Sequence, residues 1–433
     1  MKPLSRNVRA FLVFRVLFSA RFYYPVLAVF FVDLGLTLDQ YAILNVVWAA
    51  SIVACELPLG SLADRIGRRP LVIGAAALFV IEMVVLGFAP TGNSTLLFVA
   101  FLVNRLLSGL SEAAASGADE ALAYDTLCVE GRRDEWPRVL TLLQRWMAVA
   151  FVFTMLAGAA VYDAELLNGL FGTTLRPEDV VRYPVHLTLL FALGTLVAAF
   201  CLREPTTSES EDEDGWGGVR AASRFVFGTP FVLSVVVVFL VIDSVVRLFL
   251  TIQASWLRKI DLTEAWFGPV GALLSGLGFF SPILANRLIR RCSARTSFLV
   301  AGGLGILGLA GIGWIDDLRS LVFVVPAALS FHLLGFLTSH YLHERTASSM
   351  RATVLSFRSL AGNLAYGAVG ALYALAFRLA GDGTRPAPGS PEEELIFGRT
   401  LAWLPFLLLG MLLAWWTWSR AVVPDETKPS TSG

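Results

Sequence analysis

The chain has 433 residues, of which 56% are hydrophobic and only 16% are charged, and its mean hydropathy is +0.68. This composition excludes a protein whose whole surface faces water, because it contains too few polar side chains to cover one. The 34 basic residues are balanced by 34 acidic residues, and with a net charge of zero we expect no nucleic-acid partner.

Apolar segments long enough to cross a membrane recur along the whole chain. A bilayer core of roughly 30 Å requires about 20 apolar residues in a helix. Helices are the interpretation that pairs every backbone N–H and C=O group inside lipid. The sequence therefore predicts an all-α polytopic membrane protein with about twelve transmembrane helices. They begin near Phe11, Gln40, Pro70, Thr95, Pro137, Pro184, Thr229, Trp266, Thr296, Leu318, Ala352 and Phe397.

The placement of basic residues predicts the orientation. Lys2, Arg6 and Arg9 precede the first span, and most other Lys and Arg residues fall in loops on the same side. Because cytoplasmic loops carry the positive excess, both termini are predicted to face the cytoplasm. The first apolar run is too long for a signal peptide, so we interpret it as a retained helix of a multi-pass protein in the cell (inner) membrane.

A basic turn after the second span returns in the second part of the chain. The first copy, Leu62–Arg69, reads LADRIGRR, and the second, Leu284–Arg291, reads LANRLIRR. Such a repeat predicts two pseudo-symmetric six-helix bundles. In the first copy Gly60 is expected to allow close helix approach and Gly67 to permit a tight turn. The second copy supplies Asn286, Arg287, Arg290 and Arg291.

Three stretches resemble the major facilitator superfamily. Gly60–Arg69 (GSLADRIGRR) is similar to its signature loop, while Glu56–Gly60 and Ser116–Asp125 resemble a prokaryotic, drug:proton-antiporter-like branch with mostly unassigned substrates. The resemblance covers the whole chain and implies a transporter with a gate on the cytoplasmic side, in which loop arginines hold Asp125. The gate residues that it implies are Gly60, Asp64, Arg65, Gly67, Arg68, Arg69 and Asp125.

The fourth span carries three charges on one helical face. Arg105, Glu112 and Asp119 are seven residues apart, a spacing that drifts by only about 20° on an α-helix. Charges inside a bilayer are unfavourable unless they pair or face water, so we expect this stripe to line a cavity. Arg105 followed by Gly109 partly resembles the fourth-span arginine motif of drug:proton antiporters. Glu112 is our preferred proton carrier, ahead of Asp119 and Asp243.

Further charges lie in the first and seventh spans. Arg15 and Arg21 lie in the first, and Asp243 and Arg247 form an i, i+4 pair in the seventh. Arg21 and Asp243 occupy equivalent positions in the two halves. The repeat therefore predicts that they face each other across the pseudo-twofold axis, with a purely structural pairing as the alternative.

The tenth span adds His332, a candidate proton carrier because histidine titrates near neutrality. His340 and His343 lie near the predicted cytoplasmic end, where they meet headgroups, and with Glu344 they match no known metal-binding spacing. We therefore expect no metal site. The four cysteines are interpreted as small packing residues; they are Cys55, Cys128, Cys201 and Cys292.

One polar segment separates the predicted halves. Residues 205–219 are acidic and rich in glycine at their end, which predicts a flexible cytoplasmic linker. The N-terminal half is then 1–204 and the C-terminal half 220–433, with a disordered tail from Pro424 onward.

These features predict a secondary active transporter that moves a small molecule by alternating access. The preferred interpretation is proton-coupled efflux of a drug-like or amphipathic compound by a monomer, with the proton gradient as energy source and no bound cofactor. The alternative is proton-coupled uptake of a small organic anion, which Arg15, Arg21, Arg105 and Arg247 would neutralise. A polytopic membrane enzyme is the remote alternative, because no known catalytic motif is present.

Overall fold

The computed structural model describes residues 4–205, 215–346, 350–381, 383 and 385–423. Within this part of the chain every regular element is a helix. Eleven helical spans there are long and apolar enough to cross a membrane. The protein is therefore an all-α polytopic membrane protein, as the composition predicted.

The helices of the first half, in chain order, are α1 (Arg6–Phe18), α2 (Leu27–Asp33), α3 (Leu38–Ile66), α4 (Arg68–Gly87), α5 (Ser94–Ala115), α6 (Ala118–Val129), α7 (Trp136–Tyr162), α8 (Ala164–Phe171), α9 (Pro177–Val180) and α10 (Tyr183–Cys201). Those of the second half are α11 (Gly215–Gly228), α12 (Pro230–Lys259), α13 (Phe267–Gly276), α14 (Ser281–Arg291), α15 (Ala294–Trp314), α16 (Val324–Arg345), α17 (Arg351–Ala380) and α18 (Pro391–Val422). Short 3₁₀ turns lie at Tyr24–Val26, Arg133–Glu135, Glu264–Trp266, Leu277–Phe279 and Leu318–Phe323.

The first predicted span is interrupted. α1 has 13 residues and α2 has 7, and neither alone is long enough to cross the membrane. Pro25 lies in the 3₁₀ turn between them, where its ring and missing N–H oppose a continuous α-helix. Phe22 lies between the two helices, and its backbone N–H group donates to the Thr188 hydroxyl of α10 at 3.0 Å. This interruption explains why eleven spans are found where about twelve were predicted.

The fourth span also changes direction. α5 ends at Ala115, and Gly117 has φ of 75°, a left-handed conformation that L-residues rarely adopt. α6 begins at the next residue. The continuous stripe predicted through Arg105, Glu112 and Asp119 is therefore wrong, because Asp119 belongs to a separate helix.

The chain forms two compact units. Unit 1 contains Met1–Leu36, Val47–Gly215 and Thr263–Ala272, and unit 2 contains Thr37–Val46, Trp216–Leu262 and Leu273–Gly433. Each predicted half thus contributes a short segment to the other unit. α11 begins at Gly215, inside the segment expected to be the linker, while residues 206–214 and the tail from Pro424 lie outside the described residues.

The helices of each unit pack around central members. In unit 1, α4 packs against α5 and α10, and α10 packs against α1. In unit 2, α12 packs against α16, α17 and α18, and α15 packs against α16 and α18. These contacts bury Glu82 of α4, Arg105 of α5 and Asp243 of α12.

Candidate functional site

Arg21 is the centre of a charged cluster in unit 1. It lies in the interruption between α1 and α2 and is only 2% exposed. Its Nη1 atom is 2.6 Å from Glu82 Oε1 of α4, and its Nη2 atom is 2.7 Å from Glu112 Oε1 of α5. Nη1 also donates to the Tyr23 hydroxyl at 3.1 Å, and the guanidinium lies 4.3 Å from the centre of the Phe79 ring. One buried cation therefore binds two acids from neighbouring helices.

The two acids differ in their access to the outside of the protein. Glu82 is 0% exposed, and its Oε2 atom has no hydrogen-bond partner among the described residues. The side chain of Glu112 is 32% exposed. Asn104 donates to the backbone carbonyl of Glu82 at 2.8 Å and so connects α5 to α4 beside the cluster. Of the two acids, Glu112 is thus the one with a partly exposed side chain.

The predicted pairing of Arg21 with Asp243 is replaced by ion pairs inside each unit. Arg21 donates to Tyr23, Glu82 and Glu112, whereas Asp243 binds Arg247. The sequence alone did not identify Glu82 as a partner of Arg21, because the repeat relates Arg21 only to Asp243. The sequence did contain one sign of this contact. Glu82 is a single acid within the apolar third span, and an ionised acid in such a place requires a cation beside it.

Arg105 of α5 lacks an acid partner of this kind. It is 6% exposed, and its Nε and Nη2 atoms have no hydrogen-bond partner among the described residues. Its guanidinium lies 4.9 Å from the centre of the Phe31 ring. Buried donors without acceptors are unfavourable, so Arg105 requires an acceptor that the described protein atoms do not supply.

Asp119 pairs with the remaining arginine of the first span. Arg15 Nη1 of α1 is 3.1 Å from Asp119 Oδ2 of α6, and the carboxylate is buried. This ion pair connects α1 to the helix that follows the Gly117 turn. Asp119 therefore has a structural partner separate from the Arg21 cluster.

In unit 2 the buried Asp243 forms an ion pair with the partly buried Arg247 on the same helix, α12, as the i, i+4 spacing predicted. Arg247 Nη1 also donates to Asn363 Oδ1 of α17 at 3.1 Å, and its guanidinium lies 5.3 Å from the centre of the Tyr366 ring. His332 Nε2 is 3.1 Å from the backbone carbonyl oxygen of Leu274. Sequence reasoning did not identify the α17 partners, since no charge marks them.

The signature loop joins α3 to α4. Gly67 has φ of 91°, which agrees with its expected role in the turn. Arg68 forms the expected ion pair with Asp125 of α6. Gly60 differs from expectation, because a Cβ atom added there would meet no described atom within 4 Å, so no helix approaches it closely. Arg65 is exposed, and the side chain of Asp64 lies outside the described part of the structure.

Glu204 is an unpredicted partner of this loop. Its carboxylate accepts hydrogen bonds from the backbone N–H groups of Arg68 at 3.0 Å and Arg69 at 2.6 Å. An acid at a helix N-terminus satisfies free donors and interacts favourably with the helix dipole. Arg69 Nε donates to the carbonyl oxygen of Leu202 at 2.6 Å. The end of the first half is thereby attached to the loop.

The second copy of the loop has a different conformation. Asn286, Arg287, Arg290 and Arg291 all lie within α14, which continues through the copy without a turn. Ile289 stands where the first copy has Gly67, so the residue that permits the turn is missing. The expectation of a second basic turn is wrong for this reason.

No metal site is formed by the described residues, among which there is no group of three or more His, Cys, Asp or Glu residues suited to an ion. The four cysteines are free thiols.

Comparison with known proteins identifies the family. The model of the Major Facilitator Superfamily matches residues 10–371. The class B tetracycline resistance protein of Escherichia coli is 26% identical over 293 residues, which cover 65% of this chain and 64% of that protein. The multidrug resistance protein MdtL of Escherichia coli O127:H6 is 29% identical over 277 residues, covering 62% and 64%. The matched segments thus span slightly less than two thirds of these relatives.

The fold agrees with this assignment. The crystal structure of the nucleoside transporter NupG matches with a TM-score of 0.74 at 10% identity, covering 95% of this chain and 99% of that one. At this identity the likeness concerns the fold alone. The family match over most of the chain, together with the all-helical fold, shows that this multi-pass membrane protein belongs to the major facilitator superfamily.

Proposed function

We propose that the protein exports a drug-like, amphipathic compound in exchange for protons. The similarity to a tetracycline resistance protein and to a multidrug resistance protein supports this substrate class. In this proposal the transporter acts as a monomer in the cell (inner) membrane, with both termini in the cytoplasm, and the proton gradient supplies the energy without a bound cofactor.

The observation that carries the proposal is the ion pair between Arg21 and Glu112. Glu112 lies in the last turn of α5 and has a partly exposed side chain, and in this proposal a proton reaches it through that exposed part. Protonation of Glu112 removes one of the two negative charges that contact Arg21. A charge change of this size in a low-dielectric site alters which ligands and which conformations are favoured, as proton coupling requires.

The gate belongs to the same proposal. The Arg68–Asp125 ion pair fixes the signature loop to α6, and the Glu204 carboxylate fixes the same loop through its backbone. We assign to this group of contacts the cytoplasmic gate that the family resemblance implies. In the second unit we retain Asp243, Arg247 and His332 as cavity residues.

Replacement of Glu112 by Gln tests the coupling. The neutral amide imitates the protonated acid in shape, so Glu112→Gln is expected to abolish transport driven by a pH gradient while keeping ligand binding and downhill exchange. Proteoliposomes with tetracycline and ethidium as probes provide the measurement. Glu178→Gln is the matched control, since Glu178 is 66% exposed and distant in sequence from the cluster. Undiminished gradient-dependent accumulation by Glu112→Gln would place coupling elsewhere, and Asp243 would be tested next.

A second candidate function, proton-coupled uptake of a small organic anion, is favoured by Arg105 alone. Its buried N–H groups without protein acceptors suit a carboxylate or phosphate oxygen. Flux measured separately in right-side-out and inside-out vesicles, with benzoate as anion probe and ethidium as cation probe, separates the two functions. Uptake of benzoate that Arg105→Gln abolishes would support the second function, whereas outward ethidium flux would support export.

A further inference from the structure

We propose that Arg21, Glu82 and Glu112 bind one proton as a unit, the Arg21 triad, in which the buried Glu82 is a positioning residue that makes Glu112 take up a proton. The inference rests on the proposed proton coupling at Glu112. It adds Glu82, a residue that the coupling proposal by itself does not require.

The charges of the triad lead to this inference. Arg21 contributes one positive charge, and the two carboxylates in contact with it at 2.6 and 2.7 Å contribute two negative charges when both are ionised. A surplus negative charge in a buried cluster is unfavourable, and one proton removes it. Because the acids interact through the same cation, the proton belongs to the pair and not to either acid alone.

Burial assigns different tasks to the two acids. Glu82 has no exposure to solvent, and its Oε1 atom accepts a hydrogen bond from Arg21 Nη1, whereas Glu112 contacts the other nitrogen, Nη2. Arg21 therefore keeps a counterion when Glu112 is protonated. Glu112 is partly exposed and gives the proton its path. Without Glu82, protonation of Glu112 would leave a buried arginine without an acid partner.

Other ionisable groups surround the triad and remain constant in the test. Arg105 lies on α5, the Tyr23 hydroxyl accepts a hydrogen bond from Arg21, and Tyr24 follows it in the chain. On α6, Asp119 is already paired with Arg15. On α10, His186 lies beside Gly87 at the end of α4. The positive charge of Arg105 opposes proton binding, whereas the paired Asp119 and Arg15 largely cancel each other.

The test compares three variants with the wild type. Glu82→Gln leaves Arg21 and Glu112 as a neutral pair, so the pH midpoint of proton uptake is expected to fall by about one to three units although Glu112 is intact. Glu112→Gln is expected to remove the transition altogether, because Arg21 and Glu82 then form a neutral pair. The double variant Arg21→Gln with Glu82→Gln leaves Glu112 without a cation. Its midpoint is expected to return to the wild-type range or above it.

Infrared difference spectroscopy of the purified protein in nanodiscs measures this directly, because a protonated carboxylic acid has its own C=O stretching band. The pH series needs no substrate. Glu178→Gln is the control for the loss of an exposed acid and should leave the midpoint unchanged. If Glu82→Gln fails to fold, two other variants still test the inference. Glu82→Asp keeps the negative charge and should keep the midpoint. The double variant Arg21→Gln with Glu82→Gln removes the buried cation together with its acid, so it leaves no unpaired arginine.

The outcomes separate this inference from the transport proposal. An unchanged midpoint in Glu82→Gln, or a double variant that behaves like Glu82→Gln, would overturn the triad. A midpoint that moves as expected supports it. If transport of the probes shows no dependence on the pH gradient although the triad titrates, the coupling proposal fails and the triad stands.

Discussion

Asp243 and Arg247 show how charged side chains are stabilised within a membrane-spanning helix. The two side chains form an ion pair on consecutive turns of α12, and Arg247 also binds Asn363 and lies over the ring of Tyr366. Several contacts are needed because one partner alone does not replace the water that a buried guanidinium has lost. The i, i+4 spacing in the sequence was enough to predict the ion pair. Asn363 and Tyr366 could not be predicted in this way, because they belong to α17, which is distant in sequence.

Removal of one partner of this pair is expected to destabilise the protein strongly. Asp243→Ala leaves the Arg247 cation without its acid, so the free energy of unfolding should fall by roughly 3 to 5 kcal/mol. The double variant Asp243→Ala with Arg247→Ala should lose less than the sum of the single losses. Denaturant unfolding in detergent micelles measures all three. Strictly additive losses would show that the pair contributes no coupling.

An exposed ion pair of unit 2 provides the control. Asp317 and Arg319 lie in the turn after α15, with side chains 44% and 86% exposed. Hydrogen bonds from Arg319 lower the pKa of the Asp317 carboxyl group. The lowered pKa means that the ionised carboxylate contributes some stability near neutral pH, which is lost as the pH falls. Because water screens such a pair, Asp317→Ala should lower the free energy of unfolding near neutral pH much less than Asp243→Ala does.

At the scale of elements, the interruption between α1 and α2 depends on its neighbours. A Cβ atom added to Gly158 of α7 would overlap the backbone carbonyl of Phe22, so α7 lies directly against the interrupted segment. The N–H group of Phe22 is bound by Thr188 of α10. The segment that carries Arg21 is therefore positioned by the backbone of α7 and by the Thr188 hydroxyl of α10, and its guanidinium lies in contact with both Glu82 and Glu112.

Gly158→Ala tests this packing. The added methyl group has no room, so the variant should lose about 1 to 3 kcal/mol of stability and disturb the Arg21 contacts. Gly169→Ala in α8 is the matched control, because a Cβ atom there meets no described atom within 4 Å. The control should be neutral or slightly stabilising, since alanine favours helices over glycine. Equal melting temperatures for both variants would contradict the close approach.

The sequence predicted the presence of the membrane-spanning segments better than the residues at which the helices begin, end or are interrupted. The twelve apolar segments and the Gly67 turn were recognisable, because length and glycine carry their own signals. Pro25 and Gly117 were also visible, but whether such residues interrupt a helix depends on partners elsewhere in the fold. The ion pairs of Arg21 required knowledge that α4 and α5 pack beside the interruption, and no local pattern contains it.

At the scale of the whole molecule, the repeat predicted two halves but not the segments that they exchange. α3 begins in unit 2 and continues in unit 1 from Val47. Its start is held by Asp39, which is 0% exposed, 2.9 Å from Arg378 Nε and 3.4 Å from Arg385 Nε. These partners are more than three hundred residues away, so only the folded chain reveals them.

The reciprocal segment is attached in a different way. Residues 263–272 belong to unit 1, and there the N–H group of Ala265 donates to Asp163 Oδ2 at 3.0 Å. The first exchanged segment is thus attached through Asp39 and through Glu393, which accepts a hydrogen bond from the Leu38 N–H group at 2.8 Å, and the second is attached through Asp163. Two independent attachments predict two independent local openings.

Hydrogen exchange tests whether the attachments are independent. Asp39→Ala leaves Arg378 without its acid and should raise amide exchange in residues 37–46 at least about tenfold, equivalent to about 1.4 kcal/mol. Exchange in residues 263–272 should stay unchanged. Asp163→Ala should give the reverse pattern, and each variant is therefore the control for the other. If either substitution raised exchange in both segments equally, the two attachments would open as one cooperative unit, and a transport cycle could not release one segment without the other.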